Sequence, residues 1–213
     1  MVHISDGVLS LPVLAAGWAI TGVLIAVAIW WSKRKGSIVE EIPKLSVMTA
    51  AFFVASLIHV AVGPTSVHLI LCGLMGVTLG ILAYPAIFIG LVLQAFLFGH
   101  GGVTTIGINT VVMGVPALIA YGIFKAGSKL GFSRKGVSEG IFGAIAGGLA
   151  VALAVLLLVI CLLTTGKEFS GVASLVAVAH IPIMIIEAAV VGSVVAFLMK
   201  VKPELIQMGG ERK

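Results

Sequence analysis

Long apolar runs, separated by short polar or basic stretches, organise this chain. They fall at about 10–32, 45–62, 67–83, 86–99, 104–124, 137–164 and 172–199. A helix needs roughly 17–25 apolar residues to cross a bilayer, so the pattern predicts an all-α polytopic membrane protein with seven transmembrane helices. The fourth run is the shortest, bounded by Pro85 and Gly99. Runs three and four are joined only through Tyr84-Pro85, which predicts a tight helical hairpin there. With no internal repeat and no low-complexity segment, residues 1–213 read as a single transmembrane domain.

Composition strengthens this reading. The chain is 60% apolar and 10% charged, whereas a soluble domain carries about 25% charged residues. Its 27 glycines suit helices that approach closely in lipid. Of the 13 lysines and arginines, twelve follow the first, fifth or seventh run: Lys33, Arg34, Lys35, Lys44; Lys125, Lys129, Arg134, Lys135; Lys200, Lys202, Arg212, Lys213. Only Lys167 lies on the other side. Basic loops favour the cytoplasm, so the N-terminus is expected outside and the C-terminus in the cytoplasm. The net charge of +5 is explained by this topology, without a nucleic-acid partner. Cys72 and Cys161 lie within apolar runs and read as small buried hydrophobes. No basic region precedes the first apolar run, so a cleaved signal peptide is not expected.

On that topology the five histidines, His3, His59, His68, His100 and His180, all fall in the outer half, together with Gln94 and Asn109. Glu187 is the carboxylate set deep within a run. Polar groups at membrane depth are costly and mark functional sites. No helical HExxH and no P-loop motif is present, and no nucleophile–base pair stands out, so the chain reads as a transport subunit rather than an enzyme. Imidazoles suit a small transition-metal cation.

Met1-Val2-His3 carries specific chemistry. A free amine, the amides of Val2 and His3, and the His3 ring Nδ1 can close three fused chelate rings and present four coplanar nitrogens. Planar nitrogen donors suit Ni(II) or Cu(II) better than the tetrahedral preference of Zn(II). For the others two readings stand side by side. His68 is either a ligand or a histidine held by nearby hydroxyls at a helix start, and His59, nine residues earlier, can approach it across a short loop. His100, among Gly99, Gly101 and Gly102, is either part of a site or a loop histidine. His180 and Glu187, seven apart on one helix face, are either a proton relay or an interhelical hydrogen-bonding pair.

Three stretches are similar to a known family: His3-Ile4-Ser5-Asp6-Gly7, Gly63-Pro64-Thr65-Ser66-Val67-His68, and the long run from Leu93-Gln94 through Phe98-Gly99-His100-Gly101-Gly102 to Asn109-Thr110. Together they resemble the cobalt/nickel substrate-binding subunits of energy-coupling-factor importers, over nearly the whole chain. The resemblance implies a seven-helix fold in the plasma membrane of a prokaryote, with residues 1–9 dipping into the bundle as a metal-binding segment. It implies Ni(II) or Co(II) as substrate, with no permanently bound cofactor. The implied partners are a transmembrane coupling subunit, ATPase subunits and a small membrane accessory subunit. Carried over by position, the ligands would be the N-terminal amine, early amides, His3 and His68, with Gln94, His100 and Asn109 fixing the N-terminal segment. The family pattern begins Met-His, and Val2 intervenes here. Ala51 and Ala55 on the second helix are candidates for a small-residue coupling face. Two other readings compete: a proton-coupled secondary transporter using His180 and Glu187, and a non-transporting scaffold.

Overall fold

The computed structural model describes residues 3–36, 38–62, 65–130 and 136–206. Helix α1 (Leu11–Lys35) has Pro12 in its first turn, where a missing N–H costs nothing, and ends in a basic cluster. Helix α2 (Ile38–Ala55) follows. Strands β1 (His59–Val62) and β2 (Thr65–His68) form one antiparallel pair. Next come α3 (Cys72–Leu79), α4 (Ala83–Phe98), α5 (Ile106–Ser128) and α6 (Val137–Thr165). Helices α7 (Ser170–Ala179) and α8 (Ile181–Val201) meet at His180.

Among the described residues, five helical stretches are long and apolar enough to cross a membrane: Leu11–Arg34, Cys72–Phe98, Ile106–Ser128, Val137–Thr165 and Ser170–Val201. The seven expected spans resolve differently. Helix α2 is 18 residues long and carries Glu40 and Glu41 in its first turn. Helix α3 has eight residues, about 12 Å of helix against a hydrocarbon core of about 30 Å. All eight are buried, so protein surrounds α3 and lipid does not.

The all-α expectation also needs correction at residues 59–68. The hydropathy pattern carries the second run, as helix, to residue 62 and begins the third at 67. The structure ends α2 at Ala55 and pairs His59 with His68 and Val60 with Val67 across a hairpin. The physical reason is local. Val60, Val62, Thr65 and Val67 are β-branched and favour extended backbone, and Gly63-Pro64 between the strands cannot continue a helix. Residues 63 and 64 themselves lie outside the described residues.

The Cys72–Phe98 stretch does not run straight. Gly80 sits at φ 59°, ψ −129°, outside any helical region and open only to glycine. The ends also decide it. His68, four residues before α3, and His100, two residues after α4, stack with ring centroids 6.4 Å apart, whereas 27 continuous helical residues would separate them by about 40 Å. The helical hairpin expected from the sequence therefore exists, with its turn at Gly80–Leu82 rather than at Tyr84-Pro85.

Helix α5 runs through the centre, with Ala117, Ala120 and Phe124 buried. Helices α6 and α8 pack closely: a Cβ at Gly140 would lie 2.9 Å from the Ala196 Cβ, the small-residue contact that draws membrane helices together. Leu11, Val23, Ile185 and Phe197 are exposed, as lipid-facing positions are. Ala51 is exposed and Ala55 buried, so these two do not share one open face.

Candidate metal centre

Residues 3–9 turn back along the bundle instead of leading straight into α1. Thr104 marks the reversal. Its backbone N–H donates to the Asp6 carboxylate at 3.0 Å, and its carbonyl accepts from the Trp18 indole at 2.9 Å. Asp6 also accepts from the Thr104 hydroxyl and from the Val103 N–H. Two residues deeper, the Ile4 N–H donates to Asn109 Oδ1 at 2.9 Å. The Ile4 carbonyl accepts from Asn109 Nδ2 at 3.0 Å and from the Thr105 hydroxyl at 2.7 Å. The segment is thus held as a strand would be, by side chains at the start of α5.

The glycines around His100 make this possible. Gly99, in the left-handed region, closes α4, with its N–H donating to the Ala95 carbonyl and the His100 N–H donating to the Gln94 carbonyl. The Gly99-to-Ala95 bond, five-to-one with the glycine left-handed, is the αL helix ending, and it turns His100 back toward the bundle. At Gly102 a Cβ would lie 2.1 Å from Asp6 Cγ, so only glycine leaves room for the clasp.

Three histidines meet beneath it. The His3 and His68 ring centroids are 5.1 Å apart, His3 and His100 6.1 Å, and the planes tilt by no more than 23°. His3 and His68 are buried. Neither ring nitrogen of His3 has a hydrogen-bond partner. Burial, reinforced by the charges His68 and His100 would carry, holds the His3 imidazole well below the ordinary histidine value. It is therefore neutral, the form that binds metals. His68 Nδ1 lies 2.8 Å from the Leu69 carbonyl oxygen. A carbonyl only accepts, so Nδ1 carries the hydrogen and Nε2 the lone pair. Gln94 is fully buried with both amide atoms lacking a partner.

Among the described residues, no three His, Cys, Asp or Glu side chains form a ready cage for a metal ion. Stacked rings alone do not converge as a cage does, so a bound cation needs other donors. Ile4 N–H is engaged by Asn109, which leaves backbone nitrogens earlier in the chain. Met1 and Val2, expected to supply them, lie outside the described residues.

His100, expected only to support the N-terminal segment, has its ring against those of His3 and His68. Asn109 takes the supporting position expected of it. His59 is the backbone partner of His68; its side chain lies outside the described residues. His180 stands at the α7–α8 junction, where its Nδ1 donates to the Val176 carbonyl at 2.7 Å. Among the described residues no ring contact joins it to the other histidines. Glu187 is fully buried, and its Oε1 accepts from the Ile70 and Leu71 N–H groups at 2.5 and 2.8 Å. Asp6, to which the sequence pattern assigns no role, clasps the turn after α4. Its signal was an acidic residue three positions after His3, within reach of a glycine-rich turn.

Residues 3–205 match the family described as the cobalt uptake substrate-specific transmembrane region. A Haemophilus influenzae protein named for metal transport is 37% identical over 210 residues, covering 96% of this chain and 97% of that one. The fused nickel transport protein NikMN of Rhodobacter capsulatus is 31% identical over 153 residues, 66% of this chain and 42% of that longer protein. A crystal structure of a truncated transition metal transporter superposes with a TM-score of 0.75 at 26% identity, covering 93% of this chain and 99% of the other.

Proposed function

This chain belongs to the cobalt uptake substrate-specific transmembrane family, and from that membership we propose that it captures Co(II) or Ni(II) for import, at the site where His3 meets His68 and His100. The observation that carries this reading is a buried, neutral His3 ring with no hydrogen-bond partner, packed against two further imidazoles that come from distant parts of the chain.

Nitrogen donors suit both cations. His3 and the backbone nitrogens before it supply the chelate, and in a chain that begins at Val2 the remaining planar place is open to His68 Nε2. The Asp6 clasp and the Asn109 pairing set the depth of the segment, so affinity depends on groups that never touch the ion. The site faces outside: Lys33 and Arg34 end α1, Lys125 lies in the last turn of α5 and Lys200 in the last turn of α8, each at the helix end away from the histidines. ATP hydrolysis belongs to partner subunits, since the chain carries no P-loop. The fused NikMN relative, of which this chain spans 42%, supports at least one further membrane partner. A proton relay through His180 and Glu187 has less support, because each bonds to backbone rather than to the other.

Titration of purified chain with Co(II) and Ni(II), followed by elemental analysis, tests the capture reading. In the form beginning at Val2, His68→Ala should weaken binding beyond the roughly 10–100-fold typical of losing a supporting partner, and His180→Ala should leave it nearly unchanged. Equal losses would overturn the assignment. Cysteine labelling at Leu130 and Ser170 in a background lacking the native cysteines should report opposite sides of the membrane. Labelling from one side would remove the orientation.

A further inference from the structure

Glu187 is a buried carboxylate that the capture chemistry does not use directly. Its position is specific. It stands on α8, 116 and 117 residues along the chain from the two amides that donate to it. Those amides belong to Ile70 and Leu71, directly after the Leu69 carbonyl that fixes the His68 ring. Leu71 is, among the described residues, the one non-glycine with positive φ, at 53°. An L-residue adopts that conformation only when its surroundings hold it there, and a carboxylate oxygen receiving both N–H groups is such a hold. Oε2 of Glu187 is buried without a partner. Among the described residues, these two amides are what accounts for a carboxylate, rather than an apolar side chain, at this depth.

We infer that Glu187 is the positioning residue for His68, fixing the backbone of residues 69–71 from α8 so that the Leu69 carbonyl orients the imidazole and its Nε2 is presented to the metal. This inference rests on the capture reading. Each link is a hydrogen bond in the structure: Ile70 and Leu71 N–H donating to Glu187 on α8, and His68 Nδ1 donating to the Leu69 carbonyl. It also makes α8 the helix through which a displacement elsewhere in the assembly reaches a ligand. A shift of α8 away from α3 withdraws the hold on Leu71, frees the Leu69 carbonyl to rotate, and turns His68 out of line.

The test is Ni(II) titration of the purified protein in its form beginning at Val2, read both as affinity and as the ligand-field absorption of the bound ion. Glu187→Ala should lower affinity about 10–100-fold, the usual effect of losing a group that orients a ligand, and should move the absorption band. Glu187→Gln keeps an oxygen able to accept both amides and should restore most of the affinity and the original band. If Glu187→Ala does not fold, Glu187→Asp serves, since it keeps the charge but draws the oxygen back by one methylene; it should show the same band shift. A folded Ala or Asp variant with unchanged affinity and band would overturn the inference, as would Gln behaving like Ala. Binding by the form beginning at Val2 that is indifferent to His68→Ala would instead overturn the capture reading, and this inference with it.

Discussion

Ile4 and Asn109 bond in both directions: the Ile4 N–H donates to Asn109 Oδ1 at 2.9 Å, and Asn109 Nδ2 donates to the Ile4 carbonyl at 3.0 Å. Only a side chain with an acceptor and a donor on one planar group can do this. Asn109→Asp keeps the size but removes the donor and sets a carboxylate oxygen against the Ile4 carbonyl. The variant should bind Ni(II) or Co(II) about 10–100-fold more weakly and expose the segment to protease. Unchanged titration and digestion would show that the pairing does not set the depth of His3.

Gly102 and Asp6 compete for the same space. Gly102→Ala should expel the Asp6 carboxylate and destabilise the protein by about 1–3 kcal/mol, the cost of overpacking. In an Asp6→Ala background the same substitution should cost much less, because the obstructed group is gone. Thermal unfolding of the four combinations measures this coupling, and additive effects would disprove the shared space. Gly99→Ala is the comparison: nothing lies within 4 Å of its Cβ position, so it pays only for its positive φ, about 1 kcal/mol.

The Asp6 clasp should open in acid. The Thr104 hydroxyl above all, and then the Thr104 and Val103 N–H groups, hold its carboxyl below the ordinary aspartate value. A lowered acid stabilises the fold above its unfolded pKa, near 3.9, and that contribution is lost as pH falls through the folded value. Hydrogen exchange at Ile4 should therefore accelerate below about pH 4. In Asp6→Asn exchange should be faster at neutral pH and lack that acid step.

Donor count distinguishes two N-terminal forms. A chain starting at Met1 offers four planar nitrogens through His3 and leaves no in-plane place for His68. A chain starting at Val2 offers three and leaves one. Intact mass identifies each form. The Val2 form should lose its affinity on His68→Ala, and the Met1 form should either bind independently of His68 or bind poorly. Tight, His68-dependent binding by the Met1 form would refute the chelate geometry.

Hydropathy alone located α1, α5, α6 and the α7–α8 stretch within a few residues, because lipid-facing helices must be apolar along their length. It missed the 59–68 hairpin because it scores Val60 and Val62 as apolar without registering that they are β-branched and stand beside Gly63-Pro64. It merged buried and lipid-facing residues, so α3, which touches no lipid, looked like a span. The histidines were legible as a group, and the resemblance singled out His3 and His68. The place of the His100 ring beside them was not legible, because it depends on the left-handed turn at Gly99 and the reversal at Gly80. Glu187 stood out as a carboxylate within a span, yet its partners are backbone amides, which no side-chain pattern reveals.

The threading of Ile4 against Asn109 also fixes an order of events during biosynthesis. Residue 4 leaves the ribosome 105 residues before its partner exists. Helix α1 has entered the bilayer long before α5 arrives to receive the segment that precedes it. Until then the N-terminal end waits in solvent, and the segment docks only after α5 has been inserted. A bulky fusion ahead of residue 3 would therefore leave insertion intact and block this last docking step, giving a chain that is folded in the membrane and unable to hold metal.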